Sequence, residues 1–238
     1  QDSSSAASDV YKRQAAIKLS FVTVGIWWII FTLPLFINYE QPKIQEGKII
    51  DAFKQIYKTF IDITNQKNIV LFLIAFFLYI DGVHTVMSLA AIFANSIGIG
   101  QESIILALIL VQFVAAPATF IWSYVSTRYG DKMVIYMSIL IYIGVIFYSM
   151  GLDNAYEFYF MAGLIGSVQG GIQASSRSLF AKIIPEDKSG EFFGFYNTFG
   201  RAGSVIGPLL VNVFLVAFNN IRIALIPLIV LFLSLIHI

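Results

Sequence analysis

The chain of 238 residues contains no cysteine. Disulfide staples and thiolate metal sites are thereby excluded, and no compartment is implied. Charge is scarce too. Asp, Glu, Lys and Arg make up 12% of the residues, against about 25% in an average soluble domain. The net charge is +1, so no bulk attraction to nucleic acid exists. Histidine occurs only as His84 and His237. One histidine beside one aspartate, Asp81, is not a metal coordination set, and no metal is expected. The chain also lacks a Gly-rich phosphate loop, an HExxH pair and a GxSxG elbow, so no cofactor is expected.

Apolar sequence is what the chain has in excess. Hydrophobic residues make up 58% of it, and the mean hydropathy is +0.80. Seven long apolar stretches cover residues 19–37, 69–94, 103–126, 133–150, 156–174, 194–218 and 221–238. Each is long enough to cross a hydrocarbon core of about 30 Å as a helix. Barrel strands would be shorter and would alternate, which these do not. The expected fold class is all-α, a polytopic membrane helix bundle.

Positive charge falls in every second gap. Residues 38–68 carry Lys43, Lys48, Lys54, Lys58 and Lys67; the next gap has no Lys or Arg. Arg128 and Lys132 follow, then an empty gap, then Arg177, Lys182 and Lys188. The last gap is empty, with Arg222 just beyond it. By the positive-inside rule the basic gaps are cytoplasmic.

The ends are unlike the rest. Residues 1–14 (QDSSSAASDVYKRQ) are polar, and with residues 233–238 (LSLIHI) they resemble translated sequencing-adapter sequence. Both are expected to be non-native tails, which would leave His237 without functional meaning. Residues 1–14 hold no apolar run and are not a signal peptide. The remainder divides into a helix at 15–38, a connector at 39–68 and six helices at 69–232. Within the connector, Ile49, Ile50, Phe53, Ile56, Tyr57, Phe60 and Ile63 recur at helical spacing opposite Lys54, Lys58 and Asp62. The apolar face of this amphipathic helix is expected on the membrane interface or against the bundle.

Ionisable groups inside bilayer spans are costly and are functional candidates. Asp81, His84, Thr85 and Ser88 share one helical stripe in the second span. Gln169 and Gln173 lie four apart in the fifth and lead into Arg177. Asn197, Arg201 and Ser204 form a stripe in the sixth. Asp81 and Arg201 are expected at similar depth, facing each other across a polar cavity as an ion pair. His84 titrates in a range suited to proton transfer. Gly166 with Gly170, and Gly203 with Gly207, have the spacing that lets helices approach closely. Pro208 is expected to bend its helix.

Two segments carry a family likeness. One is residues 77–91, FLYIDGVHTVMSLAA. The other is residues 163–210, which includes the run from Gln169 to Ala181, the EFFGFYN string at Glu191–Asn197, and Gly207-Pro208. They resemble major facilitator transporters related to the yeast vacuolar amino-acid effluxer. The resemblance implies twelve helices in two halves, of which this chain holds the sixth to the twelfth, the N-terminal half lying outside it. It also implies a loop motif of the form G-x-x-x-D-R-x-G-R-K at residues 123–132. Arg128, Gly130 and Lys132 match it; Ser123, Thr127 and Asp131 depart. Ile80 and His84 stand where the family would have an amide and a Gln, and Arg201 replaces a usual Lys.

The function expected is secondary active transport of a small polar solute, with amino-acid efflux by analogy. Alternating access, and a proton carried by Asp81 or His84, complete that expectation. The setting is a bacterial inner membrane. No nucleic acid and no enzyme activity are expected. The alternatives are a scaffold or lipid-handling protein on the same fold, and an intramembrane enzyme using Asp81 and His84.

Overall fold

The computed structural model describes residues 2–39 and 49–233. The first part of the connector at 40–48, and the end of the chain from Ser234 with His237, lie outside the described residues. Two compact units form, Gln1–Asp51 and Ala52–Ile238. The first contains helix α1, Asp2–Asn38, whose part Gln14–Asn38 is apolar all round, as a lipid-facing helix must be. Trp27 packs on Phe31 one turn away, with ring centroids 4.3 Å apart.

The second unit starts within α2, Ile49–Thr64. Then come α3, Lys67–Ser96; α4, Gln101–Tyr129; α5, Asp131–Ser149; and α6, Ala155–Ile183. A single 3-10 turn at Glu186–Lys188 leads to α7, Ser189–Ala202, and α8, Ile206–Phe218. Two short helices, α9 at Ile221–Ala224 and α10 at Pro227–Leu233, follow. No strand occurs among the described residues. The architecture is the expected all-α bundle.

Seven spans were expected, and five segments of the described chain are both long and apolar enough to cross a membrane. The other two differ for separate reasons. Helix α6 has the length, at 29 residues, but its polar groups lower its apolarity. The last segment, Ile221–Leu233, is shorter, and its helix is interrupted before Pro227.

Aromatic packing joins α3, α6 and α7. The Phe72 and Phe180 rings lie 5.5 Å apart, Phe76 and Tyr196 4.2 Å, and Phe180 and Tyr196 4.9 Å. Glycines close the seam between α6 and α4. A Cβ on Gly166 would come within 2.7 Å of the Val111 carbonyl oxygen, and one on Gly171 within 2.6 Å of the Trp122 ring. A Cβ on Gly170 would overlap the Thr119 hydroxyl. The Trp122 Nε1–H donates to the Ser167 carbonyl at 2.6 Å across the same seam. Small residues allow this contact, and dispersion and hydrogen bonding then hold it in lipid.

Of the two placements expected for the apolar face of α2, the one against the bundle is not what the structure shows. The polar face of α2 meets the bundle: Gln55 and Thr59 donate to the Glu191 carboxylate, and Lys188 pairs with Asp62 at 2.6 Å. Ile63 is buried beside them. Phe53, Ile56 and Tyr57 on the apolar face remain exposed. The bundle had a carboxylate to offer at the start of α7, and hydroxyl and amide groups answered it.

Candidate functional site

The sixth apolar stretch does not form one bent helix. It is interrupted at Gly203–Val205, between α7 and α8. Gly200, Gly203, Gly207 and Pro208 crowd this stretch, and Gly and Pro are the poorest helix formers. Pro208 therefore does not kink a continuous helix. It lies in the first turn of α8, where its missing N–H is no loss.

Helix α3 packs against this interruption at close range. A Cβ on Gly203 would meet the Phe77 carbonyl oxygen at 3.0 Å, and one on Gly207 would overlap Thr85. The paired glycines thus let the broken segment settle on the polar turn of α3. Asp81 is fully buried there. Its Oδ2 accepts a hydrogen bond from the Gly207 N–H at the start of α8. A helix N-terminus carries partial positive charge and free N–H donors, so it favours a carboxylate. The other oxygen, Oδ1, is buried with no hydrogen bond among the described residues. Thr85 turns its hydroxyl back to the Asp81 carbonyl at 2.7 Å. Gly82 is covered by the Phe232 ring of α10, 3.0 Å from where a Cβ would stand.

His84 faces the other way. Its Nδ1 lies 3.1 Å from the Ser204 Oγ, inside the interruption. Asp81 and His84 therefore do not satisfy each other. Each has its partner on the same broken segment.

Beyond His84 opens a cavity of about 740 Å³, walled by α3, α6 and α7. Gln173, Arg177, Tyr196, Asn197 and Arg201 line it with His84. Four of the residues singled out in the sequence, His84, Gln173, Asn197 and Arg201, meet here. Asp81 and Thr85 sit behind the wall, against α8. The expected pairing of Asp81 with Arg201 does not form: Arg201 makes no ion pair among the described residues, and Asp81 is held by backbone instead. The reason is local. The start of α8 reaches Asp81 first, because Gly207 has no side chain to hold it away.

Gln169 belongs to another space. With Gln112 it lines a largely apolar cavity of about 270 Å³ on the α4–α6 seam. Its Oε1 is buried without a hydrogen bond among the described residues. The loop residues Arg128 and Lys132 are exposed and make no ion pair among the described residues. Gly130 has φ +89°, a left-handed conformation that suits glycine, and it turns the chain sharply from α4 into α5.

Sequence reasoning missed Asp131. Read as a departure from the loop motif, it is the best-held carboxylate of the loop. Ser126 and Ser178 donate to it, the latter at 2.9 Å, and Lys182 pairs with it at 2.6 Å. The available signal was Ser178 and Lys182, four apart on one face of α6, facing an acid at a helix start. The opposite end has its own tie. Arg222 donates to the carbonyls of Met150 and Leu152 at 2.6 and 2.8 Å and pairs with Asp153 at 2.5 Å.

A multi-span helix bundle, with an interrupted span beside a polar cavity, defines an integral membrane protein of transporter architecture. The chain belongs to the family of vacuole effluxer Atg22-like proteins, whose match runs over residues 3–238. It is 39% identical over 202 residues to the uncharacterized MFS-type transporter YxiO of Bacillus subtilis, covering 84% of this chain and 47% of that one. It is 27% identical over 237 residues to autophagy-related protein 22-2 of Aspergillus clavatus, covering 87% and 39%. To autophagy-related protein 22 of Vanderwaltozyma polyspora it is 26% identical over 245 residues, covering 89% and 47%. The chain spans less than half the length of each of these curated relatives. The family is one of MFS-type transporters and not an enzyme class.

Proposed function

We propose that the chain forms the C-terminal half of a secondary active transporter that moves a small polar solute by alternating access. An N-terminal half of the same protein would supply the opposite wall. The observation that carries this reading is the polar cavity beside the interruption between α7 and α8. Its volume of about 740 Å³ falls within the range of small-molecule sites, about 300–1,000 Å³. An interrupted helix lets backbone approach a solute or ion at bilayer depth without exposing it to lipid. Efflux is the direction by analogy with the effluxer family, and an amino acid is the solute this reading takes.

Proton coupling rests on two groups. Asp81 is buried behind the wall with one oxygen unpartnered among the described residues, and His84, one turn on, lines the cavity. A proton reaching Asp81 would weaken its charge-assisted bond to the α8 terminus and so link protonation to helix position. The basic loops face the cytoplasm in this reading, and the setting is a bacterial inner membrane.

The test is flux in the full-length protein reconstituted in vesicles with an imposed proton gradient. Asp81→Asn and Arg201→Gln should each lower driven solute flux by about tenfold or more. Normal flux in both variants would remove the two residues from the mechanism. The amide of Asp81→Asn still accepts the Gly207 N–H, so misfolding is not the expected cause of loss.

A further inference from the structure

The cavity is one-sided in charge. Arg177 of α6 and Arg201 of α7 both line it, and no carboxylate does. The three ion pairs among the described residues use Lys182, Lys188 and Arg222, and leave both of these arginines unpaired. Arg177 lies one turn beyond Gln173 on the face that lines the cavity, and Asn197 lies one turn before Arg201. The polar part of the wall is thus two guanidiniums, each one turn from an amide, with His84, Ser178 and Tyr196; Phe76 and Ile80 are among its apolar part.

We infer that this site takes a small organic acid of net negative charge, with its carboxylates held by Arg177 and Arg201. The inference rests on the transporter reading and narrows its substrate. A guanidinium offers a planar fork of donors that matches a carboxylate in two parallel hydrogen bonds. Two unpaired cations on one wall raise the local concentration of anions while the cavity is open. When the halves close and water leaves, unpaired guanidiniums become costly, and this wall holds no acid of its own to answer them, so a solute that brings negative charge is favoured. A neutral zwitterion brings one carboxylate and also an ammonium, for which this wall has no acid. Gln173, Asn197 and Tyr196 remain to bind neutral oxygen or nitrogen groups on the solute. Arg177 becomes a specificity-determining residue of the site.

The test uses the full-length protein, purified and placed in phosphatidylcholine vesicles, with succinate, glutamate and leucine as probes. Binding is read by thermal shift and movement by counterflow of labelled solute. Succinate or glutamate should stabilise the protein by about 2 °C or more at saturation, and leucine should not. Arg177→Gln and Arg201→Gln should each weaken that binding by about tenfold or more. Arg177→Lys should recover part of it. Failure of both acids to bind overturns the inference, and so does binding that Arg177→Gln leaves unchanged. Counterflow of leucine that survives Arg177→Gln also overturns it, yet keeps the transporter reading. Acid binding that needs Arg177 but gives no counterflow does the reverse. If added phosphatidylglycerol, and not succinate, gives an Arg177-dependent shift, the occupant is a lipid head group and the inference falls.

Discussion

Two aspartates among the described residues are buried, and they are held in opposite ways. Asp131, at the turn between α4 and α5, receives two hydroxyl donors and the Lys182 ammonium. Asp81, in α3, is held by backbone N–H groups alone, Gly207 at the start of α8 with Val205 just before it, and keeps an oxygen without a hydrogen bond among the described residues. A buried carboxylate with several donors is a fastener: its charge is matched and its surroundings gain nothing by moving. A buried carboxylate on a helix terminus is held by backbone donors and a partial charge, with no full counter-charge. Its hold weakens as soon as its protonation or the position of that helix changes. The loop aspartate therefore reads as structure, and the span aspartate as a moving part.

The comparison can be broken most severely at Gly207. Gly207→Val places a side chain where Thr85 already stands and 3.1 Å or less from the Asp81 carboxylate. The start of α8 must withdraw, at a cost of about 3 kcal/mol. Unfolding of the purified protein in detergent should show that loss, and solute flux should vanish with it. Wild-type stability for this variant would mean that the contact between α3 and α8 is loose.

An intermediate effect is expected at the loop. Asp131→Ala strips the acceptor from three donors and should lower stability by about 2 kcal/mol. Lys182→Ala should lower it by under about 1 kcal/mol, because the lysine is largely exposed and both serines still serve Asp131. Chemical denaturation in detergent measures both. Equal losses would show that the ion pair, and not the hydroxyl pair, holds this turn.

The smallest stability effect, under about 1 kcal/mol, should come from Asp81→Asn, whose amide oxygen still caps α8. That variant sharpens the contrast, since its flux should fall while its unfolding midpoint stays put. An unfolding loss as large as that of Asp131→Ala would make Asp81 a second fastener.

Much of the fold was legible because a bilayer span writes its length and apolarity directly into the chain. The expected stretch 103–126 became α4 at Gln101–Tyr129, and the amphipathic run from Ile49 became α2. At Gly166, Gly170, Gly203 and Gly207 an added Cβ would meet atoms of a neighbouring helix. The site was legible only in part. Helical spacing put Asp81, His84 and Thr85 on one stripe, but a stripe is wide. Residues 81 and 85 turn to α8, while residue 84 turns to the cavity. Spacing likewise joined Gln169 to Gln173, and packing put them in different cavities.

Sequence alone determined that this is a helical membrane protein, where its long apolar stretches lie, and which family it belongs to. Those properties follow from local hydropathy, periodicity and strings of matched residues. Tertiary structure decided that the sixth stretch breaks at Gly203–Val205, that Asp81 meets the Gly207 N–H and not Arg201, and that Arg177 and Arg201 share a wall without an acid. A buried charge takes whichever compensating group reaches it first in three dimensions, and spacing along one helix does not say which neighbour that is.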